Sequence, residues 1–342
     1  MDVSTLFASI ALAFVVGFAI QRGRVCCVAA AEQMVVNRRP QRMKAYLLVA
    51  CWSAVVILPL AWLFPGIAAL SVDYPIRPQV VVAPVFYGLG AWLNGACVFG
   101  TLAGLTRGEL DYLATSGGIV VGAVAVASAR IGHTLSDPAP VALQGAPDII
   151  RLVLWGVALL LVAHAVQRHF RVRRRRRDLW RTLLKAGHWR PATAMAVLGI
   201  AGGLLYATAG KWTYLAVLSD RSAALVRMSE AGLQIAPLVL LLALGCGGVA
   251  AARLSGRFGW KAPSRKALVT RFSGGVLMCG GAAVLPGGND TLLLYGLPSA
   301  VSYAFVGYAV MIVSLCVLIQ TERWLRTRVG RRHGHGPHAP SS

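Results

Sequence analysis

Apolar runs long enough to cross a bilayer recur along this 342-residue chain, and glycine-rich polar motifs interrupt them at membrane depth. The first motif, Gln21-Arg22-Gly23-Arg24-Val25-Cys26-Cys27, follows directly on an apolar run. The second, Asn94-Gly95-Ala96-Cys97-Val98-Phe99-Gly100, sits inside another. A third, Gly287-Gly288-Asn289-Asp290, resembles the second without its thiol. About 20 apolar residues suffice to span a bilayer as a helix. Irregular backbone at that depth must be buried in protein or line a cavity, because lipid offers it no hydrogen bonds. Together these features predict an all-α polytopic membrane protein with a path through it.

Composition narrows the partners. Hydrophobic residues make up 57% of the chain and charged residues 13%. The formal charge of +22 sits mostly in short loops and at the C-terminus, with Arg173 to Arg177 the densest run. That distribution marks cytoplasmic loops beside anionic lipid, and no aromatic-interleaved basic groove points to nucleic acid. The seven cysteines lie almost wholly in apolar segments and form no Cys-x-x-Cys, which argues against a disulfide framework or a metal site. His333, His335 and His338 could bind a metal by spacing, but they fall in a basic tail that reads as disordered.

Nine crossings are predicted, at about 4–21, 45–64, 80–105, 112–130, 149–166, 192–209, 235–252, 268–293 and 298–320. Residues 24–36 read as a short re-entrant half-helix. The loops alternate between basic and basic-poor, which places the N-terminus outside and the C-terminus inside. Phe86 to Leu102 aligns weakly with Leu277 to Leu293, and Gly17 to Cys26 matches Gly203 to Trp212 in placement. The two segments of each pair would run in opposite directions, the pattern of an inverted-repeat transporter with its site near the midplane. The chain thus divides into one transmembrane domain, 1–322, with halves at about 1–130 and 191–320, and a tail, 323–342. A crossing and a basic cytoplasmic loop, 167–190, join the halves.

The candidate chemistry sits at the breaks. Cys26 and Cys97 each flank glycine and polar side chains, and a thiol is a soft, polarizable contact for a sulfur-bearing ligand. Buried cysteine is also a common apolar filler. Cys51 and Cys316 read that way, while Cys27, Cys246 and Cys279 are intermediate. Arg22, Arg24 and Lys211 are the cations nearest the breaks; they either face inward and attract an anion or snorkel to an interface. Glu32 and Asp290 are the acids near the breaks, too few for a carboxylate-lined proton or cation path. The substrate is therefore expected to be anionic or neutral.

Gly17-Phe18-x-x-Gln21-Arg22-x-x-x-Cys26, Gly95-x-Cys97-x-x-Gly100-Thr101-Leu102 and Gly287-Gly288-Asn289-Asp290 together resemble the YeeE/YedE-type sulfur-transport membrane proteins. The resemblance implies an hourglass-like helical fold that takes up thiosulfate or a related reduced sulfur species. It also implies a central path on which Cys26 and Cys97 contact the anion, with Gly95, Gly100, Gly287, Gly288 and Asn289 along it. Arg22, Arg24, Cys27, Cys279, Asp290 and Lys211 would be accessory. The third motif of that family carries a cysteine where this chain has Gly288. Two thiols suffice, or Cys279 substitutes, or the substrate differs from thiosulfate.

The resulting expectation is a permease of a bacterial cytoplasmic membrane, not an enzyme, with no cofactor, no metal and no nucleic-acid partner. The alternative is a membrane carrier that forms a persulfide on Cys26 or Cys97 and hands sulfur to a cytoplasmic sulfurtransferase-like protein. A redox-complex subunit is weaker, because His164 is the lone histidine within the crossings.

Overall fold

Glycine and proline punctuate the helices where the sequence places them. In the computed structural model, residues 3–65, 68–129, 148–171, 187–210, 212–227, 234–285 and 287–333 are described. Arg173–Arg177, Lys211, His335 and His338 lie outside them. Pro78 opens a helix whose end is set by Gly95 in the left-handed region at φ 70°. Pro191 opens another, which ends before Gly210 at φ 72°. Proline suits a first turn, where its missing N–H is no loss, and glycine caps a C-terminus without strain.

The first half comprises α1 (Val3–Gly23), α2 (Cys27–Asn37), α3 (Gln41–Leu63), α4 (Pro78–Asn94), α5 (Val98–Arg107) and α6 (Tyr112–Ser128). A lone crossing, α7 (Asp148–Arg171), follows. The second half comprises α8 (Pro191–Ala209), α9 (Tyr214–Val226), α10 (Ala236–Leu254), α11 (Arg265–Val284), the single turn α12 (Asn289–Thr291) and α13 (Ser302–His333). Leu292–Gly296 extends α12 as a wider, π-type turn.

Each half therefore reads long, short, long, long, short, long, and the packing repeats with it. α1 lies on α10 as α8 lies on α3, and α6 lies on α11 as α13 lies on α4. α9 meets α6 as α2 meets α13. α1 and α8 run antiparallel, since the Trp189 N–H just before α8 donates to the Arg22 carbonyl at the end of α1, 2.9 Å away. The register of the weak sequence repeat is also present in space. A Cβ on Gly90 would meet Met278 N at 2.6 Å and Gly274 O at 2.7 Å. A Cβ on Gly281 would meet Ala83 O at 2.6 Å and Tyr87 N at 2.8 Å. Under the offset that aligns Phe86 with Leu277, these are the same contact seen from either half.

Such close crossings replace the hydrophobic drive that lipid removes, because small residues let backbones touch. Gly118 is the tightest case on α6: a Cβ there would sit 2.1 Å from the Phe272 carbonyl oxygen of α11. Gly118→Val is expected to lower the stability of the detergent-solubilised protein by roughly 1–3 kcal/mol, the usual cost of overpacking. A thermal melt tests this, and an unchanged midpoint contradicts it.

Eight helical stretches among the described residues are long and apolar enough to cross a membrane. The ninth predicted crossing, 112–130, is the 17-residue α6, at the short limit for a span. The helix α13 also continues past Arg323 to His333, into the segment read as a disordered tail. Its last turns carry an ion pair between Glu322 and Arg326 and an Arg328 guanidinium over the Trp324 ring.

Charge divides the bundle end to end. Arg257 hydrogen-bonds His188 and sits beside Arg24 and Arg107. Arg42 reaches the Arg24 carbonyl, and Arg323 reaches those of Val35 and Val36. Burial first, and then the neighbouring guanidinium groups, hold Arg257 below the ordinary arginine value. The other end gathers Ser71, Asp73 and Tyr303 around the turn that leads into α13.

Candidate functional site

Two breaks bring two thiols together. Arg24, at φ 49°, turns the chain out of α1, and Cys26 becomes the N-cap of α2 in extended conformation. Gly95 ends α4, and Cys97 becomes the extended N-cap of α5. The two sulfur atoms lie 3.8 Å apart and share an S–H···S hydrogen bond. Cys97 Sγ also accepts the Cys27 amide proton at 3.3 Å. Cys97 is fully buried and Cys26 nearly so. Gly100 permits the approach, since a Cβ there would stand 2.7 Å from Cys26 Sγ.

A polar brace fixes the second break. Asn94 Nδ2 donates to the Ala96 carbonyl at 2.7 Å and to Thr101 Oγ1 at 2.8 Å. Thr115 Oγ1 donates to Asn94 Oδ1 at 2.6 Å. Arg271 pairs with Asp111 at 2.8 Å and donates to the Asn94 carbonyl at 3.3 Å. The segment thus keeps its hydrogen bonds inside the protein, as irregular chain at membrane depth must.

The corresponding break in the second half has the same backbone and different chemistry. Gly288 is the N-cap of α12 with φ −83° and ψ −175°, nearly the angles of Cys97, φ −78° and ψ −179°. No thiol stands there. A Cβ on Gly288 would meet Asp290 Oδ1 at 2.6 Å and the Tyr87 ring at 3.3 Å, so carboxylate and phenol already occupy that space. Tyr206 Oη donates to Asp290 Oδ2 at 3.3 Å and lies 2.9 Å from Thr291 Oγ1. Thr213, the N-cap of α9, completes this group at 3.5 Å from Tyr206 Oη. Asn289 Nδ2 donates to Tyr46 Oη at 2.8 Å.

Tyrosines join the two sets. Tyr87 lies within electrostatic reach of Asp290, Cys97 and Cys27, and Tyr46 lies within reach of Cys97, Cys27 and Tyr308. The thiol pair and the Gly288–Asp290 turn are thus two faces of one buried polar cluster. Arg22 and Asp290 are the only charged side chains that are fully buried among the described residues.

The other predicted residues separate. Arg22 is buried under Phe18 and Trp189 at the basic end, with its guanidinium 5.1 Å from the Phe18 ring centroid. Arg24 is exposed. Cys279 packs against Gly122 of α6 and lies near Asp220, on the side of α11 away from the thiol pair. Gly287 adopts φ 145°, a conformation that favours glycine. Among the described residues no cluster of His, Cys, Asp or Glu could hold a metal ion.

Two cavities lie toward the two ends. One of about 180 Å³ lies among α6, α9 and α11, carries Asp220 and Arg227, and reaches Gly287, Gly288 and Thr291. The other, of about 400 Å³, lies between α2 and α13 and is lined by Glu32, Glu322, Arg323 and Arg326. Because α2 and α9 are counterparts in the repeat, as are α13 and α6, the cavities occupy equivalent places at opposite ends.

Sequence reasoning missed the tyrosines and threonines. Tyr46, Tyr87, Tyr206 and Tyr308 are isolated phenols within apolar helices, all buried. A hydroxyl that apolar helix cannot satisfy is the signal that could have found them.

A family model described as sulphur transport matches residues 22–317, most of the chain. No curated protein matches it.

Proposed function

The chain belongs to the sulphur-transport, YeeE/YedE, family, and on that footing we propose that it is a permease for a small sulfur-containing anion, thiosulfate or a related reduced species. It is a multi-pass membrane protein and a sulfur transporter. The observation that carries the finer reading is the Cys26–Cys97 pair, buried at the starts of two short helices with sulfur atoms 3.8 Å apart. A thiol offers a weak proton and a polarizable sulfur, so it can hand an S–H···S contact to a passing sulfur atom without fixing it. Cys26, Cys97, Gly95, Gly100, Gly287, Gly288 and Asn289 form the path in this reading, and Tyr46 and Tyr87 add hydroxyls to it. The two inverted halves act as a single transport domain.

The basic end faces the cytoplasm of a bacterium, following the preference of Lys and Arg for that side. The cavity at Asp220 and Arg227 then opens outward, and the N-terminus lies outside. The arginines at the basic end hold the released anion or dock a sulfurtransferase-like protein. Purified protein in liposomes tests the permease reading. Saturable uptake of radiolabelled thiosulfate, with no lasting sulfur adduct on Cys26 or Cys97 by mass spectrometry, is the expected result. A stable persulfide without uptake would favour the carrier instead.

Gly100 supplies a second check on the thiol pair. Gly100→Ala pushes a methyl against Cys26 Sγ, and uptake is expected to fall severalfold while the folded yield stays that of the wild type. Unchanged uptake would mean that Cys26 need not hold its observed position.

A further inference from the structure

Asp290 is the only fully buried carboxylate among the described residues. Its Oδ2 accepts a hydrogen bond from the Tyr206 hydroxyl, while Oδ1 has no hydrogen-bond partner. Oδ1 lies beside Gly288, only 2.6 Å from where a Cβ would stand. Gly288 and Thr291 line the cavity that comes in past Asp220 and Arg227. A carboxylate at such depth marks a functional site rather than packing, because burying it without purpose is costly.

We propose that Asp290 is a proton-binding site that ties each anion's passage to one proton, making the protein a proton–anion symporter. The inference rests on the permease reading above. An anion at the Gly288 wall meets Oδ1 directly. Ionised, that oxygen repels it in a site with little water; protonated, it donates the hydrogen bond that Oδ1 now lacks. The carboxylate gains its proton from the Gly288 cavity, the O–H bond persists while the anion is beside it, and the proton leaves after the anion has moved on. The groups facing Asp290 are the Tyr206 hydroxyl from α8, the Thr213 hydroxyl before α9, the backbone N–H groups of Asp290 and Thr291 on its own turn, and Tyr87 from α4. Tyr87 in turn reaches Cys27 and Cys97. None of these supplies a permanent positive charge, and Arg227 lines the cavity without being among them, so at Asp290 itself a proton is the available counter-charge.

The test uses the full chain in liposomes, radiolabelled thiosulfate, and membrane potential clamped at zero. The readout is accumulation with an inward proton gradient divided by accumulation without it. Wild type should give a ratio severalfold above one, Asp290→Asn a ratio near one, and Asp290→Glu should restore it. A wild-type ratio of one, or an Asp290→Asn ratio equal to wild type, overturns the proposal. Should the Asn variant fail to reconstitute, Tyr206→Phe decides: a moved pH midpoint of gradient-driven uptake supports Asp290, and an unmoved one overturns it. Downhill uptake without any gradient response sinks only the proton coupling, whereas absence of downhill uptake sinks the permease reading as well.

Discussion

Cys97→Ala is expected to reduce uptake of thiosulfate to background, and Cys97→Ser to do the same while keeping the fold. Cys97 Sγ receives the Cys27 amide and touches Cys26 Sγ in a site closed to solvent. Alanine removes both contacts and orphans a buried donor, a loss of roughly 1–3 kcal/mol of stability, and leaves no sulfur at that point of the path. The first of these losses is structural, which is why serine matters. Its hydroxyl can still accept the Cys27 amide proton, but oxygen is harder and far less polarizable than sulfur. Equal melting temperatures for serine variant and wild type, with uptake lost only in the variant, assign the defect to the thiol. A serine variant that transports at the wild-type rate removes the soft-sulfur contact from the mechanism.

The second large effect is reversible. Diamide should join Cys26 to Cys97, taking two electrons and two protons from the pair to become its hydrazine while one S–S bond forms. The two sulfur atoms need only close from their present contact of 3.8 Å. A bond there removes both thiol protons and fixes α2 to α5 at the start of each helix. Uptake should stop on oxidation and return with dithiothreitol, and Cys26→Ser protein should form no bridge at Cys97. Cys279→Ala should stay sensitive, since Cys279 lies against Gly122 and away from the pair. Peptide mapping by mass spectrometry identifies the bridge. Retained uptake in protein shown to carry the Cys26–Cys97 bond would mean that the path runs elsewhere.

The breaks were legible because glycine announces them. Gly95 and Gly210 take positive φ at helix ends, as a stop signal requires. The match of Phe86–Leu102 to Leu277–Leu293 was faint as sequence but holds as geometry, because Gly90 and Gly281 make equivalent backbone contacts. α9 was not legible. Asp220, Arg221 and two serines make Tyr214–Val226 look like a loop, although its buried face packs against α6. Arg22 was only half legible: at a membrane end arginine either snorkels or turns inward, and here it is fully buried. Its guanidinium lies over Phe18, and its carbonyl receives the backbone N–H of Trp189, more than 160 residues away, a contact no local pattern reveals. The meaning of Gly288 likewise waited for Asp290 and Tyr87 to appear in the space a side chain would need.

Cys97 and Gly288 share a backbone conformation and nothing else. A duplicated and inverted scaffold by itself presents the same wall to a traveller from either side, so it has no sense of inward and outward. Side-chain divergence supplies that sense here: one copy kept sulfur, while the other carries hydroxyls and a carboxyl. On the proposed path, an ion arriving from one face would encounter oxygen before sulfur, and one arriving from the other face would encounter them in reverse. Without any gradient the net flow must still vanish, so the divergence cannot set a direction on its own. It can make the two faces saturate at different concentrations, which lets one compartment fill the protein at levels where the other leaves it empty.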